Sequence, residues 1–199
     1  LSGCSTVPDE KYQSAGVHDR TCTLSQTGRR AQCPLEPTSP AEGEEARVER
    51  RFNVAYLEYC ELESEACKGP GQLFAREQLD AILRHVRASN AAGESTLVAV
   101  YVHGWHHNAH PTDENVKYFD HMLARYKDAL IRAGRGNTKV LGVYVGWRGE
   151  SISSKPANLF TVASRGRAAD AIAEGSIAFN LKEIADVMRG GPEANRMIV

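Results

Sequence analysis

Long apolar runs are missing from this 199-residue sequence. None approaches the roughly 20 residues a bilayer-spanning helix needs. Excess charge of one sign is missing too. Against 24 Lys and Arg stand 25 Asp and Glu, a net charge of −1, which gives no reason to expect nucleic acid or an acidic surface as partner. No Cys-x-x-Cys or His-Glu-x-x-His occurs, so these familiar zinc spacings are absent. The glycines at Gly134–Gly136 and Gly190-Gly191 lack a phosphate-loop lysine and read as turns. There is no internal repeat. Nor is there a Gly-x-Ser-x-Gly, so a serine on a nucleophile elbow is not among these residues. What is present is ordinary: 42% hydrophobic and 25% charged residues, enough for one sizeable core with an appended tail.

The tail is the first informative stretch. Leu1-Ser2-Gly3-Cys4 resembles the bacterial lipobox, in which a small residue precedes a cysteine that is diacylated and becomes the mature N-terminus. That resemblance implies a protein anchored to membrane through Cys4, each buried acyl methylene contributing about 0.8 kcal/mol. It also implies a place in the bacterial cell envelope. Ser5 after the cysteine is compatible with the outer membrane, facing the periplasm. Residues 1–46 are rich in Ser, Thr, Pro, Gly and Glu and show no sustained periodicity. They read as a flexible tether, with the folded domain spanning residues 47–199. The remaining cysteines, Cys22, Cys33, Cys60 and Cys67, are even in number, and an exported protein would oxidise them. Of the three possible pairings, Cys22–Cys33 and Cys60–Cys67 close the shortest loops.

Beyond residue 47 the pattern becomes regular. Residues 52–59 carry strand formers, and residues 72–88 place Ala75, Leu79, Ile82, Leu83 and Val86 at helical spacing. Residues 96–102 and 140–145 are apolar runs that suit strands buried on both faces. Between them Thr112 or Asp113 can cap a helix whose stripe is Val116, Phe119, Leu123, Tyr126 and Leu130. Helical spacing then spans about residues 158–189, with a break near Gly166 or Gly175, and a last strand begins near Asn195. Alternating strands and helices predict an α/β fold, a mostly parallel doubly wound sheet flanked by helices. Ligands of such sheets bind beyond the carboxyl ends of strands, so the loops after Val102 and Val145 are where chemistry is expected.

The first of these loops opens His103-Gly104-Trp105. A buried strand ending in His-Gly, followed by an aromatic residue and a capped helix, resembles the α/β-hydrolase family. The stretch from Val140 through Trp147-Arg148-Gly149-Glu150, and the strand at residues 196–199, extend the likeness over roughly residues 50–199. The resemblance implies that the backbone N–H of Trp105 is an oxyanion-hole donor, that His103 supports the loop, and that Gly104 lets the backbone approach substrate. Trp147 and Arg148 would line the same cleft, the arginine able to bind a carboxylate or phosphate. In the family the nucleophile follows the strand corresponding to residues 196–199, and the acid and histidine follow the nucleophile. The expectation is therefore the N-terminal portion of a lipid-anchored serine esterase, acting on a small ester or amide without a cofactor. These 199 residues alone are expected to be inactive.

Two other readings stay open. His103, His106, His107 and His110 fall within eight residues, and imidazoles converging there could hold a metal for hydrolysis. Alternatively the loop residues are solvated and the protein is a non-catalytic, lipid-anchored binding protein. The lipobox yields its own test. Radioactive fatty acid should label the full precursor, and Cys4→Ser should abolish the label; equal labelling of both would remove the anchor.

Overall fold

The computed structural model describes residues 11–25, 31–33, 47–60, 71–104, 107–147 and 176–199. They form a six-stranded, mostly parallel sheet with helices on both faces. The elements are β1 (Val17–Ser25), β2 (Ala31–Gln32), β3 (Arg47–Tyr59), α1 (Arg76–Ala91), β4 (Thr96–Val102), α2 (Glu114–Arg132), β5 (Lys139–Trp147), α3 (Ile177–Arg189) and β6 (Arg196–Ile198). The strand order is β2-β1-β3-β5-β4-β6. β1 is antiparallel to both its neighbours, and β3, β5, β4 and β6 run parallel. Lipobox residues 1–4 and the remainder of the expected long helix before Ser176 lie outside the described residues.

β1 corrects the reading of residues 1–46 as a tether. Residues 17–25 pair along their whole length with β3, so the sheet begins well before residue 47. The strand escaped notice because its inward face is mixed. Cys22 and Leu24 are buried on it, but the same face carries His18 and Arg20, and Arg20 stands 3.9 Å from the buried carboxylate of Asp120. β3 likewise starts earlier than residue 52. Its charged first half is held by Arg50, whose Nε donates to Asp128 on α2 at 2.8 Å, so a run of arginines sits in a strand. α1 starts later than residue 72, because residues 72–74 bond to the end of β3 instead: Cys60 N–H donates to Gln72 O at 2.9 Å and Phe74 N–H to Glu58 O at 2.7 Å.

Period-two alternation sorts the strands' side chains into two cores. Ala55, Leu57, Val98, Val100, Leu141, Val143 and Val145 face α1 and α3, meeting Leu79, Ile82, Val86, Ile184 and Met188. Phe52, Val54, Tyr56, Ala99, Val140 and Tyr144 face α2, meeting Val116, Phe119, Leu123 and Ala124. On the α2 side the Cys22–Cys33 disulfide ties β1 to the residue after β2. Closing so short a loop stabilises by about 2–3 kcal/mol in the chain-entropy account. Cys60 is also disulfide-bonded; Cys67 lies outside the described residues.

Gly142 fixes how closely α2 lies on β5. A Cβ there would meet the Phe119 ring at 2.8 Å and Leu123 closer still. Overfilling such a contact costs about 1–3 kcal/mol. Gly142→Val should therefore lower the unfolding free energy by about 1–3 kcal/mol, read as a lower urea midpoint at unchanged m-value; an unchanged midpoint would contradict the close packing.

Candidate functional site at the carboxyl ends of β4 and β5

The topology singles out one place on the sheet. β4 leads into α2 on one face, and the chain after β5 reaches α3 on the other. β4 and β5 are hydrogen-bonded neighbours. The helices that follow these two strands thus lie on opposite faces of the sheet, the topology at which open α/β sheets bind ligands beyond the carboxyl ends of the strands. Val102 pairs with Val145 at the end of the ladder, and His103 and Trp147 follow.

His103 is 1% exposed and joins the two diverging loops. Its Nδ1 is 2.6 Å from the carbonyl oxygen of Gly104. That oxygen can only accept, so Nδ1 carries the proton. Nε2 then accepts the Trp147 backbone N–H at 2.7 Å and also lies 2.8 Å from the Trp147 carbonyl. The imidazole stacks on the Trp147 indole with centroids 4.1 Å apart. Burial lowers the His103 pKa below the usual histidine value, against the opposing pull of the Gly104 and Trp147 backbone bonds. A neutral Nδ1–H imidazole donates to Gly104 O and accepts from Trp147 N–H, leaving the Trp147 carbonyl as a contact without a proton between, and this makes His103 a clasp between the two strand ends.

Around this clasp the loop into α2 is anchored at several points. Gly146 admits it closely, since a Cβ there would stand 2.9 Å from Ala109 Cβ. Tyr144 donates its hydroxyl to Asn108 O at 3.1 Å, and burial holds that phenol well above its usual pKa, so it stays a donor. Asp113 caps α2 by accepting from Asn115 N–H at 2.8 Å. It also accepts from Asn108 N–H at 3.2 Å and faces His107 Nδ1 at 3.1 Å. His110 Nδ1 lies 2.8 Å from the Thr112 hydroxyl and accepts the Thr112 N–H.

The N-terminal segment braces the outside. Glu58, 5% exposed at the end of β3, accepts the backbone N–H of Tyr12 at 2.7 Å and of Gln13 at 2.9 Å. Gln78 donates to the same carboxylate at 3.1 Å. Gln13 Nε2 donates to Ala109 O at 2.7 Å, and the Tyr12 ring meets His110 edge-on at 5.4 Å. Nothing in the local sequence announced Glu58, Tyr12 or Gln13 as parts of this site. The one available sign was an acidic residue near the end of an apolar strand.

Of the residues singled out from sequence, His103, Gly104 and Trp147 come together here, with His107 and His110 on the adjoining loop. Trp105, His106 and Arg148 lie outside the described residues. Among the described residues no three His, Cys, Asp or Glu side chains are grouped to hold a metal, and both ring nitrogens of His103 are turned to backbone. No family model, curated protein or solved structure matches the chain. The functional reading therefore rests on topology and the chemistry of this loop.

The clasp has a pH signature. With its pKa lowered in the folded state, His103 is protonated more readily in the unfolded chain, so stability falls as pH drops below the unfolded value of about 6.5. His85, whose pKa burial also lowers, adds in the same direction. Denaturant titrations at pH 7.5 and 5.5 should show His103→Gln less stable at the higher pH by about 1–3 kcal/mol, from unpaired backbone groups, and less sensitive to the change. An undiminished pH dependence would place its origin elsewhere.

Proposed function

We propose that this chain is the N-terminal portion of a lipid-anchored α/β-hydrolase that cleaves a small ester or amide with a serine nucleophile. The observation that carries the proposal is the fixed carbonyl of Gly104. It accepts from His103 Nδ1 and from His107 N–H at 3.2 Å. In a trans peptide the N–H of the same plane points opposite to the carbonyl. In this reading the donor is the next backbone N–H along the chain, at a position outside the described residues. A donor fixed before substrate arrives is what stabilisation of a tetrahedral oxyanion requires. Gly104 leaves the approach clear: nothing lies within 4 Å of where its Cβ would be.

The sheet supports the same reading. β6 lies beside β4, so a residue following β6 would stand next to the β4 loop, where an elbow serine would face the donor. The outer edge of β6 has no strand partner among the described residues, and an open edge suits a sheet that continues. The buried Cys22–Cys33 bridge suits an oxidising compartment, in keeping with acylation at Cys4 and a place in the envelope. Among the described residues no helix is long and apolar enough to cross a membrane, so in this proposal the acyl group is the attachment.

The test is p-nitrophenyl ester turnover by a protein extending past Val199 through its natural continuation. Turnover should be blocked by a fluorophosphonate. Trp105→Pro, which deletes the N–H, should lower kcat by about 10²–10³-fold. Full activity in folded Trp105→Pro protein would contradict the role of this loop, and absence of a fluorophosphonate-sensitive serine would contradict the proposal as a whole.

A further inference from the structure

We propose that a cleft at the amino ends of β4 and β5 binds the phosphate group of a small, hydroxyl-rich phosphate monoester. The cleft has a volume of about 600 Å³, the size of a small-molecule site. Its walls are the turn before β4, from Gly93 to Ser95, and the turn joining α2 to β5, from Gly136 to Lys139. It lies at the opposite end of the strands from His103 and Trp147, so it is separate from the proposed hydrolytic site. Among the lining residues three cations, Lys127, Arg135 and Lys139, stand against one carboxylate, that of Glu94. The whole chain is close to neutral, so this concentration of positive charge is local.

Lys139 pairs with Glu94 at 3.2 Å and offsets it. The other two cations meet no carboxylate among the described residues. Lys127 reaches from α2 and donates to Gly136 O at 2.7 Å and to Thr138 O at 2.8 Å. These bonds hold the ammonium in place and leave its third proton for another acceptor. Burial, and then the nearby charges of Lys139 and Arg50, lower the Lys127 pKa below the usual lysine value. Its charged neighbours are thus cations, and an anion in the cleft would relieve the repulsion. Arg135 is exposed, and its guanidinium makes one bond among the described residues, from Nη2 to Ala194 O at 3.4 Å.

These donors match a phosphate monoester, whose terminal oxygens can be shared among an ammonium, a guanidinium fork and backbone N–H groups. The turn from Arg135 to Thr138 is closed by Thr138 N–H on Arg135 O at 3.0 Å. The N–H groups of Gly136 and Asn137 inside it make no bond among the described residues. No phosphate-loop motif marks the cleft in the sequence, because its lysine comes from the helix and its turn follows nine residues later. The remaining lining sets the character of the rest of the ligand. Ser95 and Asn137 offer a hydroxyl and an amide, and no aromatic or branched apolar side chain lines the cleft. A planar base or an acyl chain would find nothing to pack on there, whereas a hydroxylated body would find hydrogen-bond partners.

The test titrates the 199-residue chain with glucose 6-phosphate at constant ionic strength and follows the backbone amide ¹H–¹⁵N shifts. Saturable shifts at Ser95, Gly136 and Asn137 are expected, with a Kd of about 1 mM or below, weaker binding of inorganic phosphate and no response to glucose. Arg135→Gln should weaken binding by about tenfold, the loss of one charge-assisted contact, at unchanged melting temperature because the side chain is exposed. Lys127→Met should weaken it further. Shifts that rise without saturating, an equal response to glucose, or an affinity that Arg135→Gln leaves within about twofold would overturn the site. Arg135-dependent binding to phosphatidylglycerol vesicles without a response to glucose 6-phosphate would overturn it too, and would mark the cleft as a lipid contact. The esterase reading is untouched by either result, since it stands or falls on fluorophosphonate-sensitive turnover by the longer protein.

Discussion

One buried imidazole holds the carboxyl end of this sheet together. The helices that follow β4 and β5 lie on opposite faces of the sheet, and Gly104 O and Trp147 N–H at the ends of the two strands meet at one side chain between them. A buried polar group with no partner costs about 1–3 kcal/mol. His103 removes two such costs at once, donating to Gly104 O and accepting from Trp147 N–H. Its neutrality is a consequence of burial, and its usefulness is a consequence of its neutrality, because only the neutral ring offers one donor and one acceptor. The orientation of the Gly104 carbonyl follows from this bond.

Close approach of backbone makes the clasp reachable. Gly142 lets α2 settle onto β5, and Gly146 lets Ala109 settle onto the end of the same strand. With side chains at these positions the loop from His107 to Asp113 would stand away from the sheet. Glu58 then secures the outside of the loop through Tyr12 and Gln13. The site is thus assembled from segments nearly a hundred residues apart, each bonded to backbone of another. Such over-determination is what a pre-set hydrogen-bond donor or base needs, because no energy is then spent on arranging it during reaction.

The parts legible in the sequence were those with a single physical signature. β4 and β5 were apolar runs bounded by turns, and they are central strands. The stripe from Val116 to Leu130 packs beneath the sheet, capped by Asp113, one of the two capping residues proposed. β1 was not legible, because an inward face of His18, Arg20, Cys22 and Leu24 mixes charge with apolar burial and has no clean period. The first half of β3 was hidden for the same reason, its Arg50 being neutralised by an aspartate 78 residues away. At the site, His103 and Gly104 were marked by their place after a buried strand. The pairing of His107 with Asp113 was not marked, since four neighbouring histidines look alike until the turn at Gly104 and the cap of α2 decide which of them meets a carboxylate.

The clasp is tested most directly by the ¹⁵N chemical shifts of the His103 ring at neutral pH. The account requires a neutral ring fixed as the Nδ1–H tautomer, with Nε2 accepting from Trp147 and the Trp147 amide slow to exchange with solvent. A ring fixed as Nε2–H, or averaging freely between tautomers, would leave Gly104 O and Trp147 N–H without their shared partner and would contradict it.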